Sequence, residues 1–200
     1  YFFLIIVFFG SCSIEEKYSQ KKLNYLALGD SYTIGEGVMF ENSFPVQLVN
    51  NLKLDGINID SVIIIAKTGW TTSRLIDSLS FFNSKKYDLV TLLIGVNNQY
   101  RNLNLSDYII DFENLLLRSI SYSKNSNVFV LSIPDYGVTP FAEGMDREKI
   151  SKEIDEYNRI NNDISKKYNI EYFNITDISR LAEFDSTLLT NDKLHPSKKM

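Results

Sequence analysis

From Leu23 onward the chain alternates short apolar, β-branched runs with longer amphipathic stretches, and this alternation restricts the fold more than any other feature. Tyr25-Leu-Ala-Leu28 reads as a first buried strand ending at Gly29. Val62-Ile-Ile-Ile65, within 59–66, has the composition of a strand covered on both faces. Residues 88–94, 127–133 and 169–174 are the third, fourth and fifth strands. Between them, helices are predicted over 44–54 (Ser43 as cap, Pro45 in the first turn), 72–82, 106–123 (Ser106 as cap) and 147–168. In the last of these Ile150, Ile154, Tyr157, Ile160 (or Asn161) and Ile164 recur at three- and four-residue steps, an apolar stripe on a charged helix. Strands that alternate with helices imply an α/β fold, a parallel sheet with helices on both faces. Ligands then bind beyond the carboxyl ends of the strands, so functional residues are expected just after them.

Composition removes several kinds of chemistry. The chain has one cysteine, Cys12, and one histidine, His195, so an internal disulfide, a cysteine-type metal site and a multi-histidine zinc site are excluded. No metal or organic cofactor is expected. The net charge of −4 is spread along the chain without a basic run, which argues against a nucleic-acid partner.

The first ten residues, Tyr1 to Gly10, are apolar and about half the ~20 needed to cross a bilayer. They fit the h-region of a signal peptide. Phe9-Gly10-Ser11-Cys12 resembles a bacterial lipobox, in which Cys12 is lipidated. A transmembrane anchor and a buried strand remain as other readings of the run. Residues 1–12 are thus assigned to export and 13–22 to a polar linker, with 23–200 as one domain whose final helix begins near Ser197 and is incomplete at Met200. The expected location is the bacterial cell envelope, with the membrane reached through the lipid.

Four short motifs follow the strands or close the chain. After strand one, Gly29-Asp30-Ser31 permits a sharp turn that presents the serine hydroxyl; it departs from Gly-x-Ser-x-Gly because Thr33 replaces the second glycine. Alone it fits an ordinary turn with Ser31 as helix cap better than a nucleophile turn. After strand two, Gly69 allows close approach of its backbone N–H to a ligand, and Thr71 or Thr72 can cap the next helix. After strand three, Gly95-Val96-Asn97 offers an amide donor of the type wanted where a carbonyl oxygen gains charge, though a turn asparagine would look the same. Near the end, Asp192 precedes His195 by three residues and can accept from Nδ1, leaving Nε2 as a base.

Taken jointly and in order, Gly29-Asp-Ser31, Gly69, Gly95-x-Asn97 and Asp192-x-x-His195 resemble the four conserved blocks of the SGNH/GDSL hydrolases. The resemblance implies a flavodoxin-like three-layer α/β/α sandwich with a five-stranded parallel sheet. It implies a cofactor-free esterase with Ser31 as nucleophile, His195 as base and acid, and Asp192 orienting the histidine. The oxyanion donors would be the N–H groups of Ser31 and Gly69 and the Asn97 amide. One departure is visible: the family usually carries Asp where this chain has Asn98.

The substrate rim is expected from 99–105 and 134–141, with Trp70, Asn98 and Tyr136 near the ligand, which is a small-molecule, lipid or carbohydrate ester. Two rivals stand beside a simple esterase. One is O-acetyl transfer or deacetylation on polysaccharide; the other is a non-catalytic module in which Ser31, Thr33, Gly35 and Gly37 cradle a phosphate.

Overall fold

The computed structural model describes residues 22–82 and 85–200, so the apolar run, Cys12 and nearly all of the linker lie outside the described residues. Five strands form one parallel sheet: β1 (Leu23–Gly29), β2 (Ile59–Ala66), β3 (Leu89–Leu93), β4 (Val128–Leu131) and β5 (Glu171–Phe173). The spatial order is β2-β1-β3-β4-β5. Among the described residues seven α-helices accompany them, six between strands and the last after β5: α1 (Ser31–Ile34), α2 (Phe44–Leu54), α3 (Thr72–Leu79), α4 (Val96–Tyr100), α5 (Leu105–Tyr122), α6 (Arg147–Lys167) and α7 (Thr176–Arg180). This is the expected α/β fold with a five-stranded parallel sheet.

The helices form because their apolar positions share one face. In α6, Ile150, Ile154, Tyr157, Ile160 and Ile164 are all buried, and they join Phe112, Leu115 and Leu116 of α5 in the main core with Leu26, Leu28, Val90, Leu92 and Val130 of the sheet. The opposite face has a smaller core, where Leu48 and Leu52 of α2 pack on Tyr25, Ala27 and Ile59. Beyond α2 that face is thinly covered, and Phe173 of β5 is 52% exposed.

Capping differs from expectation in a regular way. Asn104, not Ser106, caps α5; its Oδ1 accepts from the N–H groups of Ser106 and Asp107. A short side chain reaches the second and third N–H groups of a helix from just outside it, and Ser106 already lies inside. Ser43 and Thr71 hold the cap positions of α2 and α3 but turn their hydroxyls elsewhere, to the Phe40 carbonyl and to Ser73.

The sheet order places the functional crevice. From β1 the chain passes outward to β2, then returns across to β3 on the other side, so the order reverses between β1 and β3. Gly29 ends β1 in register with Ala66 of β2 and Leu93 of β3. Three loops therefore leave the sheet at the same level, side by side. They carry Ser31, Gly69 and Asn97.

Candidate active site

Ser31 is the first residue of α1, immediately past the end of β1. The turn into this helix is tight, and only glycine fits before it. A Cβ on Gly29 would lie 2.1 Å from Thr33 Oγ1 and 2.3 Å from the Leu93 carbonyl. Asp30, not Ser31, caps the helix: its Oδ1 accepts from Tyr32 N–H at 3.1 Å. That leaves the serine hydroxyl out of the capping role, and the Ser31 N–H at a position where helices have no internal acceptor. Asp30 is fully buried, and its Oδ2 finds no partner among the described residues. Burial pushes its carboxyl up to about 7, against the opposing hydrogen bond from Tyr32 N–H.

Ser31, Gly69, Asn97 and His195 line one cavity of about 130 Å3, together with Thr68, Val96, Tyr100, Tyr136 and Phe141. The structure thus brings together groups that lie up to 164 positions apart in the chain, from Ser31 to His195. A larger apolar hollow of about 180 Å3 also touches Ser31, but His195, Gly69 and Asn97 do not line it, so the smaller cavity is the one that gathers the candidate residues.

The histidine is held by its own loop. Asp192 Oδ2 lies 2.7 Å from His195 Nδ1, and Asp192 Oδ1 accepts from the N–H groups of Leu194 and His195 and from the Thr190 hydroxyl. Thr190 N–H donates to the His195 carbonyl at 2.8 Å. Partial burial works against the Asp192 charge, but the donors from Thr190, His195 and Leu194 outweigh it and hold the carboxyl well below the usual range. The ring of Tyr32 meets the His195 ring edge-on with centroids 5.5 Å apart. The imidazole is therefore fixed on two sides.

Asn97 donates from Nδ2 to the Trp70 carbonyl at 3.0 Å, which sets the plane of the amide. An amide nitrogen has a second N–H to offer. Asn98 is buried and its amide is turned to Thr72: Oδ1 accepts from Thr72 N–H, and Nδ2 donates to Thr72 Oγ1. Thr72 Oγ1 in turn donates to Asp111.

The chain matches the GDSL-like lipase/acylhydrolase family over residues 27–200. The chain belongs to this family. It is accordingly an ester-bond hydrolase, and the phosphate-cradling module gives way to that reading. Solved structures agree in fold. The acetylxylan esterase Axe2 from Geobacillus stearothermophilus superposes with a TM-score of 0.68 at 20% identity, covering 88% of both chains. TesA gives 0.64 at 17%, covering 88% of this chain and 90% of its own. The psychrotrophic esterase EstA from Pseudoalteromonas sp. gives 0.59 at 20%, covering 89% and 90%. No curated protein sequence matches the chain significantly.

Two of the residues expected near the ligand sit differently within this GDSL-type site. Trp70 packs against the main core and presents its carbonyl to Asn97; it is not among the residues lining the cavity. Asn98 does not line it either, because both ends of its amide are engaged by Thr72. Tyr136 does line it, and burial pushes its phenol up to about 12, so it is neutral. Its companions lie within the stretches expected at the rim, though the sequence did not single them out: Tyr100 and Phe141 stand 5.9 Å and 6.2 Å from the Tyr136 ring and complete an aromatic wall. Tyr100 lies at the end of α4, one turn past Asn97, a helical spacing that could have pointed to it. Buried Asp135 braces the Tyr136 loop by accepting from Gly137 N–H and from Arg180 Nε at 3.0 Å.

Proposed function

We propose that the protein is a serine esterase working through Ser31, His195 and Asp192. Ser31 Oγ attacks the ester carbonyl as His195 Nε2 takes its proton, and the carbonyl oxygen becomes the oxyanion. The N–H groups of Ser31 and Gly69 and the free N–H of Asn97 Nδ2 face that charge. His195 then returns the proton to the departing alcohol, leaving an acyl-enzyme. Water attacks the acyl carbon by the same route and frees the acid and Ser31. The observation that carries this reading is the convergence of Ser31, Gly69, Asn97 and His195 on one small cavity, with Asp192 set on the far nitrogen of the histidine. Labelling by a fluorophosphonate tests it: the wild type should be labelled and Ser31→Ala should not, with ester hydrolysis lost in parallel. Full activity in Ser31→Ala would refute it.

Within that activity the cavity favours a short acyl group on a carbohydrate. Tyr100, Tyr136 and Phe141 wall the small cavity, and Tyr100 is 50% and Phe141 37% exposed, which supports a sugar ring lying on their apolar faces. Acetylated xylo-oligosaccharides should be deacetylated faster than p-nitrophenyl esters of eight or more carbons are cleaved. The reverse order would point to a lipid substrate. For Cys12 we propose lipidation and attachment to the bacterial envelope membrane, supported by Phe9-Gly10-Ser11-Cys12 alone. Incorporation of a palmitate analogue in a bacterial host, absent from Cys12→Ser, is the corresponding test.

A further inference from the structure

The direction of one oxyanion donor depends on a turn that can exist in two forms. Residues 67–70 close a β-turn, with Trp70 N–H donating to the Lys67 carbonyl at 3.1 Å. Gly69 occupies its third position with φ +77°, the signature of type II. Types I and II share their end residues and differ by about half a rotation of the central peptide. That central peptide joins Thr68 to Gly69, and its N–H is the one read above as an oxyanion donor. In the type I form the same N–H would face away. The two forms differ by little in a free turn, so what surrounds the turn decides which persists.

Contacts hold the residues on both flanks of that peptide. On one side the Thr68 hydroxyl donates to the Glu36 carboxylate, which belongs to the loop just past the nucleophile helix. On the other side Arg101 Nη2 donates to the Gly69 carbonyl at 2.7 Å. The guanidinium also packs over the glycine, for a Cβ there would stand 3.1 Å from Nη2. Arg101 closes α4, the helix that starts next to Asn97. The two contacts therefore tie the residues on either side of that peptide to the segment bearing Ser31 and to the segment bearing Asn97.

We propose that Arg101 is a positioning residue for the hydrolysis, acting with Glu36 to hold the Lys67–Trp70 turn in the form that keeps Gly69 N–H on the reacting oxygen. It rests on the esterase reading above. Neither side chain lines the cavity of Ser31 and His195, and Arg101 is exposed with Glu36 half-buried, so loss of Arg101 should leave the fold intact. Removing an oxyanion donor outright costs about 10²–10³ in turnover, and letting it flip part of the time costs less.

The test compares Arg101→Met, Arg101→Lys and Ser31→Ala on p-nitrophenyl acetate in the full chain. In Arg101→Met, kcat should fall about 10- to 50-fold with KM changed less than about twofold, because the donor acts mainly as charge develops. The melting temperature should move by less than about 2 °C. Arg101→Lys, which can still donate to the Gly69 carbonyl, should recover most of the loss. The pH profile of kcat should keep its shape, since the His195 loop is untouched. A wild-type kcat in Arg101→Met would overturn the proposal, as would a loss that tracks a falling melting temperature. Activity surviving in Ser31→Ala would instead overturn the nucleophile assignment itself, and this inference with it.

Discussion

The two halves of the site are held in opposite ways. The loop from Thr190 to Pro196 is nearly self-sufficient: Thr190, Asp192, Leu194 and His195 bond to one another across two to five positions, and Leu189 pairs with Pro196 as an isolated bridge. The segment from Thr68 to Thr72 has only the turn bond from Trp70 N–H to the Lys67 carbonyl to hold it locally. It is held residue by residue from outside: Thr68 by Glu36, Gly69 by Arg101, Trp70 by Asn97 and Thr72 by Asn98, over separations of 26 to 32 positions. One half is a local motif, the other an assembly of three neighbouring loops. The groups proposed to handle the proton come together in a short stretch of chain, whereas those proposed to face the oxyanion meet only once the sheet has aligned β1, β2 and β3.

Substitutions can break this contrast, beginning with the self-contained half. Asp192→Asn keeps the size of the clasp but favours the wrong imidazole tautomer, and should lower kcat by about 10³–10⁴, with a lower melting temperature near neutral pH because the stabilising charge is gone. A loss below tenfold would show that the loop does not need its carboxylate. In the assembled half, Asn97→Ala removes one donor and should cost about 10²–10³ in kcat. It should also loosen Trp70, so amide exchange in 67–72 should quicken while that in 190–196 does not. Equal quickening in both would erase the distinction.

Smaller effects sharpen it. Asn98→Leu strands the buried Thr72 N–H and should cost about 1–3 kcal/mol in stability, read from urea denaturation, with kcat falling as the turn loosens. Asn98→Asp keeps an acceptor for that N–H, and activity should stay within a few-fold of the wild type. If it instead raised kcat tenfold, the asparagine would be a handicap and not a substitute for the family's usual residue.

The smallest effect concerns pH. In the folded protein Asp30 keeps its proton up to about pH 7, whereas unfolded aspartate releases it near ~3.9. The folded state binds more protons between those values, so this group makes stability fall as pH rises from about 4 to about 7. Asp192 acts in the other sense, since its lowered value gives stability that is present above the unfolded pKa and lost as pH falls below it. Asp30→Asn removes the first effect and leaves the second. Its melting temperature relative to the wild type should rise between pH 5 and pH 8. A constant offset would mean that Asp30 does not titrate in the fold.

The strands, the four long helices and the order of the motifs were legible because each depends on neighbours a few residues away. Alternation of β-branched runs with amphipathic stretches specifies a parallel α/β sheet, and α6 is visible from its stripe alone. The pair Asp192 and His195 belongs to the same class, as a contact over three positions. What the sequence could not decide follows from distance along the chain. Nothing in the spacing of Asn98 says that both ends of its amide meet Thr72, or that Trp70 offers its carbonyl and not its ring. Likewise Tyr100, Tyr136 and Phe141 become one wall only when α4 and the loop after β4 are brought together. Local geometry is written residue by residue, but which loops become neighbours is decided by strand order, and β1 lies between β2 and β3 only in the folded sheet.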